Sequence, residues 1–156
     1  SRTGLSSSVL YYYYDDILAF KIGQGGKFNW QKKIHKSQVS TNDGGPFSSY
    51  SSFTDGTNLF FIFNDNLKNY DDNGEYSRGN RYCYSFNLSR RKNVAAICKV
   101  DLENGNTERK TLFTRKELKS IVVPKMFKLD APNKKLLLYA IMSGKEKFGI
   151  LNFSQE

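Results

Sequence analysis

The stretch Ile17-Leu18-Ala19-Phe20-Lys21-Ile22-Gly23-Gln24-Gly25-Gly26-Lys27-Phe28-Asn29-Trp30 limits what this chain can fold into more than any other. Leu18, Phe20 and Ile22 alternate with Ala19 and Lys21, the period of a half-buried strand. Gly25-Gly26 then supplies the positive φ values that a tight turn needs without a Cβ clash. The segment therefore predicts a hairpin with Leu18, Phe20 and Ile22 on one face and Lys21 on the wetter one. Beyond the turn, Phe28 and Trp30 are expected to share the greasy side. A lone two-stranded hairpin is marginal in water, so that side requires cover from other strands or another sheet.

At 156 residues the chain has room for one domain with a core, 1–156, or for one all-β domain fragment. Its 12 Phe and 10 Tyr suit pleated surfaces, and no helical amphipathic run lasts more than a few turns, which predicts an all-β, antiparallel fold. Further strands are read at Val9–Tyr14, whose four tyrosines are expected to pack on both faces, and at Leu59–Phe63, stopping at Asn64-Asp65-Asn66. A second hairpin spans Val94–Leu102 and Thr107–Phe113 around an Asn-Gly turn. Strands follow at Met126–Asp130, Leu136–Met142 and Lys147–Phe153. Thr114 and Glu117 form a capping-box pattern that starts a short helix over Arg115–Ser120, with Pro124 helping to end it. Between the strands, residues 66–93 read as a long insertion loop rich in Asn, Asp, Gly, Ser, Tyr and Arg.

The first hairpin, with Lys21-Ile22, Gly25-Gly26-Lys27 and Trp30, resembles the repeat of quinoprotein-like and WD-type β-propellers, where a strand ends in a glycine turn and a tryptophan begins the outer strand. Lys99-Val100 and Gly105 continue the likeness in the second hairpin, although Arg109 stands where Trp30 would recur and Asp101 where the first copy has Gly23. The resemblance implies about three blades, fewer than the roughly four to eight that close a ring. The chain is thus expected to be the C-terminal part of a longer propeller, with self-association as the liability of such a fragment; the alternative is a β-sandwich or barrel.

The formal charge of +9 admits an acidic partner, including nucleic acid or an anionic polysaccharide. The basic residues nevertheless occur as scattered pairs, the pattern of solubilising lysines on a β surface. Cys83 and Cys98 either pair across neighbouring strands or stay as buried thiols. His35 has no second histidine to help it hold a metal, and Asp71-Asp72-Asn73-Gly74-Glu75 lacks the spacing of a calcium loop, so both read as structural. No cofactor is called for, and no apolar run is long enough to span a bilayer. The chain does not begin with Met, which fits a processed product, secreted or periplasmic once an upstream signal is removed.

The candidate binding residues are Tyr13, from an aromatic platform, and Arg78, Arg81, Tyr82 and Tyr84, an Arg/Tyr mixture common at interfaces. They point to a binding or scaffold module for a protein or carbohydrate partner. The competing reading is a polysaccharide- or peptide-cleaving enzyme that pairs acids among Asp15, Asp16, Asp43 and Asp65.

Overall fold

The computed structural model describes residues 8–79, 81–88 and 91–153; Ser1-Arg2-Thr3-Gly4, at the start of the sequence, lies outside them. The fold is all-β, with antiparallel sheets and one single-turn helix among the described residues, and no sheet closes into a barrel.

The first sheet is one long hairpin made of two separate two-stranded ladders in line. Its ascending limb holds β1 (Tyr11–Tyr13) and β2 (Ile17–Ile22), and its descending limb β3 (Phe28–Ile34) and β4 (Val39–Thr41). β2 pairs with β3 and β1 with β4. Tyr13 lies opposite Val39 and Ile17 opposite Ile34, so the descending limb carries one extra residue between the two ladders. That is the geometry of a β-bulge, and it takes 14–16 and 35–38 out of the regular pairing.

The hairpin's faces are the reverse of the expected ones. Ile17 and Ala19 are buried, while Leu18, Phe20 and Ile22 are more than half exposed. The neighbouring sheet already contributes Phe61 and Phe63 to this interface, and the space left suits small Ala19 better than another aromatic ring. Phe28 and Trp30 also part company. A register shift between Lys21 and Ile22 sets Phe28 opposite Ile22 but Trp30 opposite Lys21, on the other face. Trp30 leans onto the next sheet, where its Nε1 donates to the Leu102 carbonyl at 3.2 Å. Its ring lies so close to Gly105 that a Cβ there would come within 2.8 Å of it, at a backbone φ of +75°. The tyrosine strand is shorter than expected and not packed on both faces: Tyr11 and Tyr13 are mostly exposed and stack on each other at 6.3 Å.

The central sheet is a meander of β5 (Ser51–Thr54), β6 (Asn58–Asn66), β7 (Asn93–Asp101) and β8 (Thr107–Thr114), hydrogen-bonded in that order. β6 runs through Asn64-Asp65-Asn66 instead of stopping there, because those polar side chains find partners inside the fold. Asn64, for example, donates to the carbonyls of Phe47 and Val122. β8 leads into α1 (Arg115–Leu118), where Thr114 and Glu117 form the expected capping box. The helix ends at left-handed Lys119, earlier than expected, and Pro124 opens a separate 3-10 turn.

The third sheet contains β9 (Ile121–Val122), β10 (Lys128–Asp130), β11 (Lys135–Met142) and β12 (Lys145–Asn152), with β9 and β10 sharing one edge of β11. Alternation along the central strands serves two cores. Phe61, Phe63, Ala96 and Cys98 meet Ile17, Ala19 and Ile34 of the first sheet. Ile62, Phe53 and Ala95 meet Val122, Leu136, Leu138 and Ala140 of the third. The central sheet is therefore covered on both faces and its neighbours on one. Cys83 and Cys98 are both buried free thiols. No helix of the described residues is long and apolar enough to cross a membrane.

Candidate functional site: a cleft at the bulge of the first hairpin

The bulge opens a cleft of about 810 Å³ whose wall includes Tyr13, Asp15, Asp16, Lys33, His35 and Lys36 on the hairpin side. Arg81, Tyr82, Cys83 and Ser85 face them from the segment between β6 and β7. That segment reaches the hairpin by lying along β4. Phe86 donates from its backbone N–H to Ser37 O at 2.9 Å and accepts from Val39 N at 3.2 Å, and the Ser37 and Ser85 hydroxyls are 2.6 Å apart. From behind, Asn66 donates to Ser85 O, while Asn69 donates to Tyr84 O and accepts from Tyr84 N. Asn66 at the end of β6 and Asn69 in the 3-10 turn after it thus act as a backbone clamp on an otherwise irregular segment.

Charge in the cleft is organised around Asp16 and Lys36. Asp16 accepts from Lys33 Nζ at 2.7 Å and from the Lys36 backbone N–H at 2.9 Å, with His35 Nδ1 at 3.5 Å. Burial alone would raise its carboxyl, but Lys33, the Lys36 N–H and His35 together hold it below its ordinary value. Lys36 is only 2% exposed. Its ammonium donates to Tyr14 O at 2.5 Å and to Gln38 Oε1 at 3.0 Å. Burial pulls it down to about 8, against the opposing pull of Asp15, Asp65 and Asp16. Gln38, itself fully buried, passes the link on by donating to Asn64 O at 2.8 Å.

Behind this floor lies a buried ion pair. Arg109 donates to Asp65, and through Nε to Tyr70 Oη at 2.8 Å. Tyr70 donates in turn to Asp65 at 2.7 Å, and Asp65 also accepts from Asn66 N and Asn69 Nδ2. The guanidinium is enclosed by the rings of Phe63, Tyr70 and Tyr76, the nearest centroid at 4.2 Å. Burial would lower the Arg109 pKa, but Asp65 and Tyr70 hold it above its ordinary value; burial, then Asp65, raises that of Tyr70 well above its own. Arg109 also reaches the His35 carbonyl, so the pair fixes the backbone of the bulge.

Of the residues singled out in the sequence, Tyr13, Arg81 and Tyr82 lie together on the cleft, with Tyr13 67% and Tyr82 79% exposed. Arg78 and Tyr84 lie beside it rather than on its wall. The Arg78 guanidinium stacks 4.9 Å from the Tyr84 ring and donates to Tyr82 O, bracing the loop. The four acids do not form one group. Asp15 and Asp16 line the cleft, Asp65 is spent on the buried network, and Asp43 accepts from Gly45 N in a local turn. Asp71 likewise accepts from the backbone of Asn73 and Glu75, as a solvated turn does. Asp65 enters the sequence reading only as a candidate acid and Arg109 only as the residue standing where Trp30 would recur; Lys36 and Gln38, polar residues just after a strand, carry no local signal of the buried network they join.

A smaller concavity of about 280 Å³ gathers Lys68, Arg91 and Lys92 around Asn66. Among the described residues no group of three or more His, Cys, Asp or Glu side chains is placed to hold a metal ion. Comparison of the chain with protein-family models, curated proteins and solved structures finds no match to any of them.

Proposed function

We propose that the chain is a propeller-like binding module whose three sheets are successive blades and whose partner, a carbohydrate or a peptide segment of a protein, enters the cleft at the bulge. The observation that carries this reading is the convergence of two exposed tyrosines and Arg81 on one cleft above a buried, hydrogen-bonded floor. Exposed phenol rings offer rigid amphipathic surface at low entropic cost, and Arg adds directed donors; such side chains dominate binding energy at interfaces. The floor supplies what a ligand site needs besides contact area: polar groups held in fixed places by the Asn clamp and the Arg109 pair. The blade reading is supported by the order of the central meander and by the stacking of sheets through alternating faces.

The test is a binding screen of oligosaccharides and short peptides on the immobilised chain, followed by Tyr82→Ala and Arg81→Ala. Both residues are exposed, so the fold should survive either change. A ligand of this cleft should lose at least about tenfold in affinity with either change, roughly 1.4 kcal/mol. Lys147→Ala, on the third sheet, should leave it unchanged. A ligand indifferent to both cleft substitutions would remove the cleft from the reading.

A further inference from the structure

The outer faces of the first and third sheets each carry an exposed apolar patch, bordered by Lys33 and Gln31 on the first and by Lys135 and Glu146 on the third. On the first, Leu18, Phe20, Ile22 and Phe28 are each at least 51% exposed, with Phe20 and Phe28 edge-to-face at 5.7 Å. On the third, register places Leu137 with Ile150 and Tyr139 with Phe148 on the side away from the core. Phe148 is 68% and Ile150 61% exposed, and the Tyr139 and Phe148 rings are 5.4 Å apart. Each face thus presents a cross-strand aromatic pair flanked by aliphatic side chains, and each presents on the order of 400 Å² of apolar surface, the size of a functional patch.

We infer that a second copy of this chain covers both faces. The first sheet of each copy packs on the third sheet of the other, closing a two-copy ring of six blades. The inference rests on the blade reading above. Three considerations select a second copy as the occupant. The two faces lie at opposite ends of the same stack, so a head-to-tail contact uses both. Doubling three layers, the first a hairpin of two two-stranded ladders and the other two four-stranded sheets, gives six, a number inside the roughly four to eight blades that close a propeller. A closed pair seals four faces, on the order of 1,600 Å², the standard size of a stable protein interface.

Light scattering on the purified chain, with Phe20→Glu and Phe148→Glu beside it, tests this. The unaltered chain should have twice the 17.9 kDa mass of one copy, and each substitution alone should return it to 17.9 kDa with an unchanged circular dichroism spectrum. Mixing the two variants should restore part of the dimer, because one of the two contacts is then free of substitution. A chain that stays monomeric at its highest soluble concentration overturns the proposal and leaves the faces to a different partner or to further blades. Mass that keeps growing past the dimer overturns closure but leaves the blade reading intact. Dissociation by only one of the two substitutions means like faces pair, which overturns both the ring and the blade reading.

Discussion

The two cores flanking the central sheet are built from alternate residues of the same strands, yet they differ in kind. On the side of the third sheet, Ile62, Ala95, Leu136, Leu138 and Ala140 meet as hydrocarbon, beside one neutral amide, Asn64, that donates to Val122 O. On the side of the first sheet, Phe61, Phe63 and Ala96 share their layer with Asp65, Tyr70 and Arg109, a charged pair with almost no solvent contact. The apolar core can be rearranged as long as volume is kept, because dispersion and burial have no preferred direction. The polar core cannot, because the Arg109, Tyr70 and Asn69 donors each have a particular acceptor and a lost partner leaves a buried charge. The difference follows the placement of the candidate site: the polar core lies directly behind the cleft, and its hydrogen bonds end on the backbone of the bulge.

The comparison breaks most visibly at Arg109. Arg109→Met keeps much of the volume but strands Asp65, and urea unfolding should show a loss of about 3–5 kcal/mol. The double variant Asp65→Leu, Arg109→Met should recover a large part of that loss. If the single variant is as stable as the unaltered chain, the pair does not organise this core. On the apolar side, Leu136→Ala, at 1% exposure, should cost about 2–5 kcal/mol through lost burial and the cavity left behind. Leu136→Met should cost under about 1.5 kcal/mol, since this core asks for volume and not for identity.

The smallest effect is a slope with pH. Lys36 sits near 8 in the fold against 10.5 when exposed, so between those values the unfolded chain binds more protons than the folded one. Its contribution to stability therefore rises as pH rises through about 8 and levels off near 10.5. Cys98, held near 11 by burial, works in the opposite direction above pH 9. The difference between the unaltered chain and Lys36→Met, measured by urea unfolding from pH 7 to 10, isolates the lysine. A difference that does not change over that range would mean that the ammonium is not desolvated. Asp15, Asp16, Asp65 and Cys83 are the charged or titratable neighbours that set its starting point.

Much of the strand pattern could be read directly. Gly25-Gly26, the Asn-Gly turn at Gly105 and the Thr114/Glu117 box mark local conformations that depend on residues close in sequence. The faces of the first hairpin could not, because apolar residues stand at both parities from Ile17 to Ile22 and the choice between them rests on Phe61 and Phe63 some forty positions on. The site was legible in its rim and in the acids Asp15 and Asp16, but not in its floor. Tyr13, Arg81 and Tyr82 advertise themselves by type, whereas Lys36 and Gln38 look like ordinary polar residues after a strand.

What the sequence alone determined is the period-two alternation, the turns and hence an antiparallel all-β chain, since these follow from the backbone preferences of neighbouring residues. Tertiary structure decided which face of each strand is buried, where one extra residue becomes a bulge, and that Asp65 and Arg109, 44 positions apart, share a buried bond. Those outcomes depend on how sheets fill space against one another and on which buried polar group finds a partner, and no local stretch of sequence holds both sides of either contact.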